Sequence, residues 1–80
     1  MDDERRQRRE AAAALFDEAA AELDRAAAHA RVAAQHLRHG EVPRGGAHAW
    51  AVRGHLLRAG QALDRQAVEH SERSRPQMER

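Results

Sequence analysis

The chain has no cysteine, lysine, threonine, asparagine, isoleucine or tyrosine, and Phe16 and Trp50 are its only aromatic side chains of the Phe, Trp and Tyr kind. Without cysteine there is no disulfide staple, no thiolate metal ligand and no thiol nucleophile, and nothing marks the redox compartment. Hydrophobic residues make up 41% of the sequence, but most of them are alanine, so little apolar area is on offer per residue. Neither charge sign dominates: fourteen arginines face thirteen acidic residues, for a formal charge of +1. The two signs are interspersed, so the pI near 9.0 is no nucleic-acid signature. No apolar run is long enough to span a bilayer, and AAAALF is cut short by Asp17 and Glu18, too soon for a signal peptide. A soluble, cytoplasmic protein is expected. The missing residue types fit a GC-rich coding bias, and the Arg, Ala, Glu, Leu and Gln that fill the chain all favour helix.

Eighty residues allow one small domain. Asp2, Asp3 and Glu4 offer a cap and favourable charge at a helix start, and nothing breaks a helix from there to His39. Gly40 suits the left-handed residue after a helix end, Val42–Pro43 asks for extended backbone, and Gly45–Gly46 closes a turn. The expected layout is helix one over about 3–39, a turn over 40–46, helix two over about 47–73, and a disordered tail over 74–80 from Ser74 and Pro76 onward. Two long helices with a short connection give an all-α, antiparallel helical hairpin.

Apolar spacing supplies a register. Phe16, Ala20, Leu23, Ala27, Ala30, Ala34 and Leu37 alternate four and three apart, as a heptad seam does. Laid antiparallel about Pro43, they face His70, Gln66, Leu63, Ala59, Leu56, Val52 and Ala49 in that order. Half of the apolar seam is alanine and two positions are polar, so one hairpin has too little to bury. Self-association is therefore expected, most simply a twofold homodimer forming a four-helix bundle, with a further protein partner as a possibility left open. The flank one residue after the seam carries the large residues left over, and it is the expected interface: Trp50, Leu57, Gly60, Ala67, Ala21 and Ala28. The competing account leaves Trp50 and Leu57 half exposed with no partner, as single apolar residues often are.

The opposite flank, one residue before the seam, holds histidines among alanines. Opposite chain directions bring both steps to the same side, so His36 should pair with His48 and His29 with His55. Glu22 continues that stripe, with Arg58 and Arg65 facing it. Two imidazoles across a helix pair are half of a tetrahedral Zn²⁺ site, and imidazole equally suits Cu²⁺ and Ni²⁺, which makes His29, His36, His48 and His55 the candidate metal ligands. The structural alternative is as concrete: His36 and His39 lie in a last helical turn, where partial positive charge is favourable. No HExxH, Glu-x-x-His or finger spacing occurs. Should the histidine face lie between subunits, assembly should weaken as pH falls below about 6.5.

Other segments point away from function. RRQRR at residues 5–9 is bracketed by Asp2, Asp3, Glu4 and Glu10, and Glu4–Arg8 and Arg6–Glu10 pairing within the helix explains it. Phosphate-backbone binding would need steep salt dependence, and no stacking aromatics accompany the basic run, so nucleic acid is not the expected partner. Pro43-Arg44-Gly45-Gly46 lacks phosphate-loop spacing, and a turn accounts for it. With Ser71 and Ser74 near a helix end and no acid–base pair in a pocket, the chain reads as a non-enzymatic protein–protein interaction module without a required cofactor.

Residues 42–70, VPRGGAHAWAVRGHLLRAGQALDRQAVEH, carry Val-Pro-Arg, Ala-His-Ala, Gly-His-Leu, Leu-Asp and a closing His. This stretch resembles uncharacterised small helical proteins of high-GC actinobacteria. The likeness covers the turn and helix two better than residues 1–20. It implies that lineage and a small helical protein, and it carries no activity and no site residue.

Overall fold

A computed structural model describes residues 2–73, and the tail expected to be disordered lies outside them. Two helices make up the fold: α1, Asp2–Arg38, and α2, Val42–Arg73, packed against each other as an antiparallel pair. At about 1.5 Å per residue α1 spans roughly 55 Å, which is essentially the 58 Å long axis of the molecule. The other dimensions are 27 and 14 Å, so the hairpin is a slab one helix thick. Among the described residues no helix is long and apolar enough to cross a membrane.

α1 ends as the sequence suggests. Gly40 has φ +75°, the Glu41 amide donates to the His36 carbonyl at 2.8 Å, and the Gly40 amide donates to that of Leu37 at 3.0 Å. These two bonds make a Schellman motif, which satisfies carbonyls the helix would leave open. α2, however, begins at Val42, so the connection is His39–Glu41 and not 40–46. Pro43 belongs in the first helical turn, where its preset φ fits and its missing N–H would have had no helical partner. The Gly45 amide donates to the Glu41 carbonyl at 3.0 Å, closing that turn. Gly45 serves packing: a Cβ there would fall 2.8 Å from Leu37 Cγ and 3.4 Å from the Ala33 carbonyl oxygen.

The contact stripe also differs from the predicted seam. The buried apolar residues are Ala19, Ala26 and Ala33 of α1 with Ala59 and Ala62 of α2, all between 0% and 8% exposed. Phe16, Leu23, Leu37, Leu56 and Leu63, which the heptad placed inside, stay 40–55% exposed, and Ala20, Ala27 and Ala30 are exposed too. The cross-helix contacts centre near Gly40 rather than Pro43, because the chain turns there: His29 meets both His48 and His55. Alanine explains the choice. Methyl-sized side chains let two helices approach closely, and dispersion contacts fall off steeply with any gap. Leucines on the same line would hold them apart.

Gly54 has open space where a Cβ would stand. Gly54→Ala should therefore stabilise the protein by about 1 kcal/mol through helix propensity alone, seen as a higher denaturation midpoint. A lower midpoint would mean that this side of α2 is covered.

Candidate functional site

Offsets along each helix divide the surface beside the alanine stripe into two flanks. Leu23 and Leu37 lie four residues after buried alanines, and Phe16 three before one, which turns them about 40–60° to one side. Glu22, His29 and His36 lie three after Ala19, Ala26 and Ala33, about 60° to the other side. On α2 Leu56 and Leu63 take the first side relative to Ala59, and His55, four before it, takes the second, in line with the buried Ala62 seven residues on. Antiparallel helices bring like offsets together, so one flank is apolar and the other is lined with imidazoles.

On the imidazole flank both predicted pairs form. The His36 and His48 rings stack at 5.4 Å between centroids, and those of His29 and His55 at 5.3 Å. A diagonal contact joins them, with His29 Nδ1 2.9 Å from His48 Nδ1. One of these two nitrogens donates and the other accepts, so at most one of the two rings carries a second proton while the contact stands. The accepting ring holds its proton on Nε2.

Each end of this ladder is closed by a carboxylate. His55 Nδ1–H donates to Glu22 Oε1 at 2.8 Å, between side chains only 15% and 13% exposed. At the turn His36 Nδ1 lies 3.4 Å from Glu41 Oε1, while Arg44 donates to the second Glu41 oxygen at 2.9 Å. The Schellman motif brings His36 and Glu41 together, since they are the positions whose side chains it normally joins by an apolar contact. That signal was available in the sequence at Gly40. Arg58 and Arg65 do not converge on Glu22: Arg25 lies 3.3 Å from it, Arg58 reaches His55 at 3.4 Å, and Arg65 bonds Glu18. In the basic N-terminal run Arg8 lies 4.0 Å from Glu4, and Arg6 pairs with Asp3 at 2.8 Å rather than with Glu10.

The His55 hydrogen bond, followed by Arg25, holds the Glu22 carboxyl below its usual 4.5. Folding thus favours the ionised form. Its contribution is present above the unfolded-state value and is lost as pH falls through the folded one. Thermal midpoints recorded from pH 6 to pH 3 should fall more steeply for the parent than for Glu22→Gln; parallel profiles would show that the Glu22–His55 bond does not couple to folding.

The metal expectation meets a narrower donor set. His29 and His48 aim Nδ1 atoms at each other, whereas His55 and His36 aim theirs at Glu22 and Glu41. Among the described residues no group of three or more His, Cys, Asp or Glu side chains is arranged to hold a metal ion.

The predicted interface residues are not gathered on one surface. Trp50 and Leu57, 78% and 52% exposed, sit nine and two residues before Ala59, on the side of α2 turned away from α1. Ala21 and Ala28 follow buried alanines by two and turn to the outer side of α1. Gly60 and Ala67, one and eight after Ala59, belong to the apolar flank. That flank, with Phe16, Leu23, Leu37, Leu56 and Leu63, is where large apolar side chains from both helices lie side by side. No protein-family model, no curated protein and no solved structure matches this chain.

Proposed function

We propose that the chain is a self-associating helical hairpin: two copies close their apolar flanks on each other as a homodimeric four-helix bundle, which serves as a protein–protein interaction module. Exposed area carries this reading. The chain exposes 6478 Å², where a compact 9.0 kDa protein exposes about 4,850 Å². The excess of roughly 1,600 Å² is larger than the roughly 800 Å² that each partner buries in a standard interface. The radius of gyration is 18.4 Å, against about 12 Å for a compact domain of this length. Five alanines are the whole buried apolar set among the described residues, and five large side chains line the neighbouring flank. A second copy is the partner that removes this surface with the least additional chemistry. Sedimentation equilibrium at micromolar concentration should give about twice the 9.0 kDa chain mass. A folded species of single-chain mass would overturn the proposal.

Transition-metal binding by the ladder rests on one observation, the 2.9 Å approach of the His29 and His48 nitrogens. Further ligands would have to come from another chain. A dimer closed on the apolar flank keeps the two ladders on its outside, so the dimer and a metal shared across the dyad compete. Zn²⁺, Cu²⁺ and Ni²⁺ titrations separate them: equal affinity in the parent and in a His36→Ala, His48→Ala variant removes the metal.

A further inference from the structure

We infer that the two copies pair antiparallel, with the turns at opposite ends and the twofold axis running through the layer of Leu23 and Leu56. This rests on the dimer proposed above and specifies its geometry.

With the hairpin centred near Gly40, residues equally far from it on the two helices lie at one height. Leu23 and Leu56 share a height, as do Phe16 and Leu63, and as do Ala30 and Ala49. The apolar flank is therefore layered in size. A large layer of Phe16 and Leu63 and a small layer of Ala30 and Ala49 stand on either side of the Leu23–Leu56 layer, each seven residues or about 10 Å away. A twofold axis across the helices at the central layer lays α1 on the partner's α1 and α2 on the partner's α2. Phe16 then stands over Ala30 of the second copy, and Leu63 over its Ala49. Large thus fills small in the layers on either side of the axis, while at the axis Leu23 and Leu56 each meet their own copies.

A twofold axis along the helices does the reverse. It sets α1 against the partner's α2 at equal height, so Phe16 meets Leu63 and Ala30 meets Ala49. Bulk would then hold the copies apart at one layer and leave a void at the next, and voids of that kind are costly. A further observation favours the antiparallel form: the Leu23–Leu56 layer lies close to the middle of α2, Val42–Arg73, so an antiparallel overlay covers the hairpin nearly end to end.

The absence of cysteine makes the test clean. Single variants Leu23→Cys, Leu56→Cys, Phe16→Cys and Ala30→Cys, each in the full chain, are treated with a short bismaleimide alone and in mixtures. The antiparallel dimer predicts that Leu23→Cys alone becomes mostly covalent dimer. Phe16→Cys alone and Ala30→Cys alone should give traces, while their mixture links at least tenfold better than either. A species that sediments as a dimer but links Leu23→Cys to Leu56→Cys, and not to itself, overturns the antiparallel geometry and leaves self-association standing. A single-chain mass in sedimentation removes both. Circular dichroism of each variant against the parent shows that folding is kept, and serine at the same positions separates loss of bulk from geometry.

Discussion

A chain carrying Leu23→Glu and Leu56→Glu is expected to sediment as a monomer at micromolar concentration and to lose most of its helical circular dichroism signal. In the single hairpin these leucines are 46% and 40% exposed, so the hairpin taken alone would tolerate glutamate there with little penalty. In the proposed dimer they would form the central layer, and twofold symmetry would bring four carboxylates together away from water. Even one unpaired charge in such a place costs several kcal/mol. Association weaker by at least a thousandfold, about 4 kcal/mol, is the minimum expected. Helicity should fall with it, since five buried alanines cannot hold two helices together and isolated helices are marginal in water. Trp50→Glu, on the outer side of α2, is the control and should leave mass and helicity unchanged.

Enlarging the alanine stripe should have the next largest effect. Ala62 is fully buried, and it forms one buried cluster across the two helices with Ala19 and Ala59. Ala62→Leu adds three carbons with no room for them. Overpacking of that kind costs about 1–3 kcal/mol, which for a domain of this size lowers the thermal midpoint by roughly 5–20 °C. The helices would also be pushed apart near the ladder, whose Nδ1–Nδ1 contact of 2.9 Å has little slack. Ala28→Leu, on the outer side of α1, should change the midpoint little. The predicted seam assigns Ala62 to a flank, and a mild effect there with a severe one at Ala27→Leu would return the packing to that seam.

The imidazole pairs were legible because helical geometry alone puts His29 beside His55 and His36 beside His48 once the chain doubles back. Gly40 was legible as the helix end because a positive φ is inexpensive only without a Cβ. The start of α2 was not. Proline and paired glycines disrupt a helix interior, and nothing local distinguishes an interior from a first turn, where the same residues are tolerated. The buried stripe departs from the bulky heptad line for a deeper reason. Bulky residues at heptad spacing mark an apolar surface, without saying whether it meets the same chain, another chain or neither. The tight contact of two helices selects small side chains, and here Ala19, Ala26 and Ala33 run at that same spacing beside the bulky line. A turn over 40–46 separates Glu41 from His36, and only the tighter connection in the fold brings the two together.

Isotope-filtered nuclear Overhauser spectroscopy on a mixture of labelled and unlabelled chains sees both surfaces in one spectrum. Contacts of the Ala62 methyl with Ala19, and of the His29 ring with His48 and His55, should be confined to one chain. Contacts of the Leu23 methyls should cross between labelled and unlabelled copies. If the Leu23 methyls instead meet Leu63 within a single chain while the histidine contacts cross between copies, the alanine seam and the apolar interface have been assigned to the wrong surfaces.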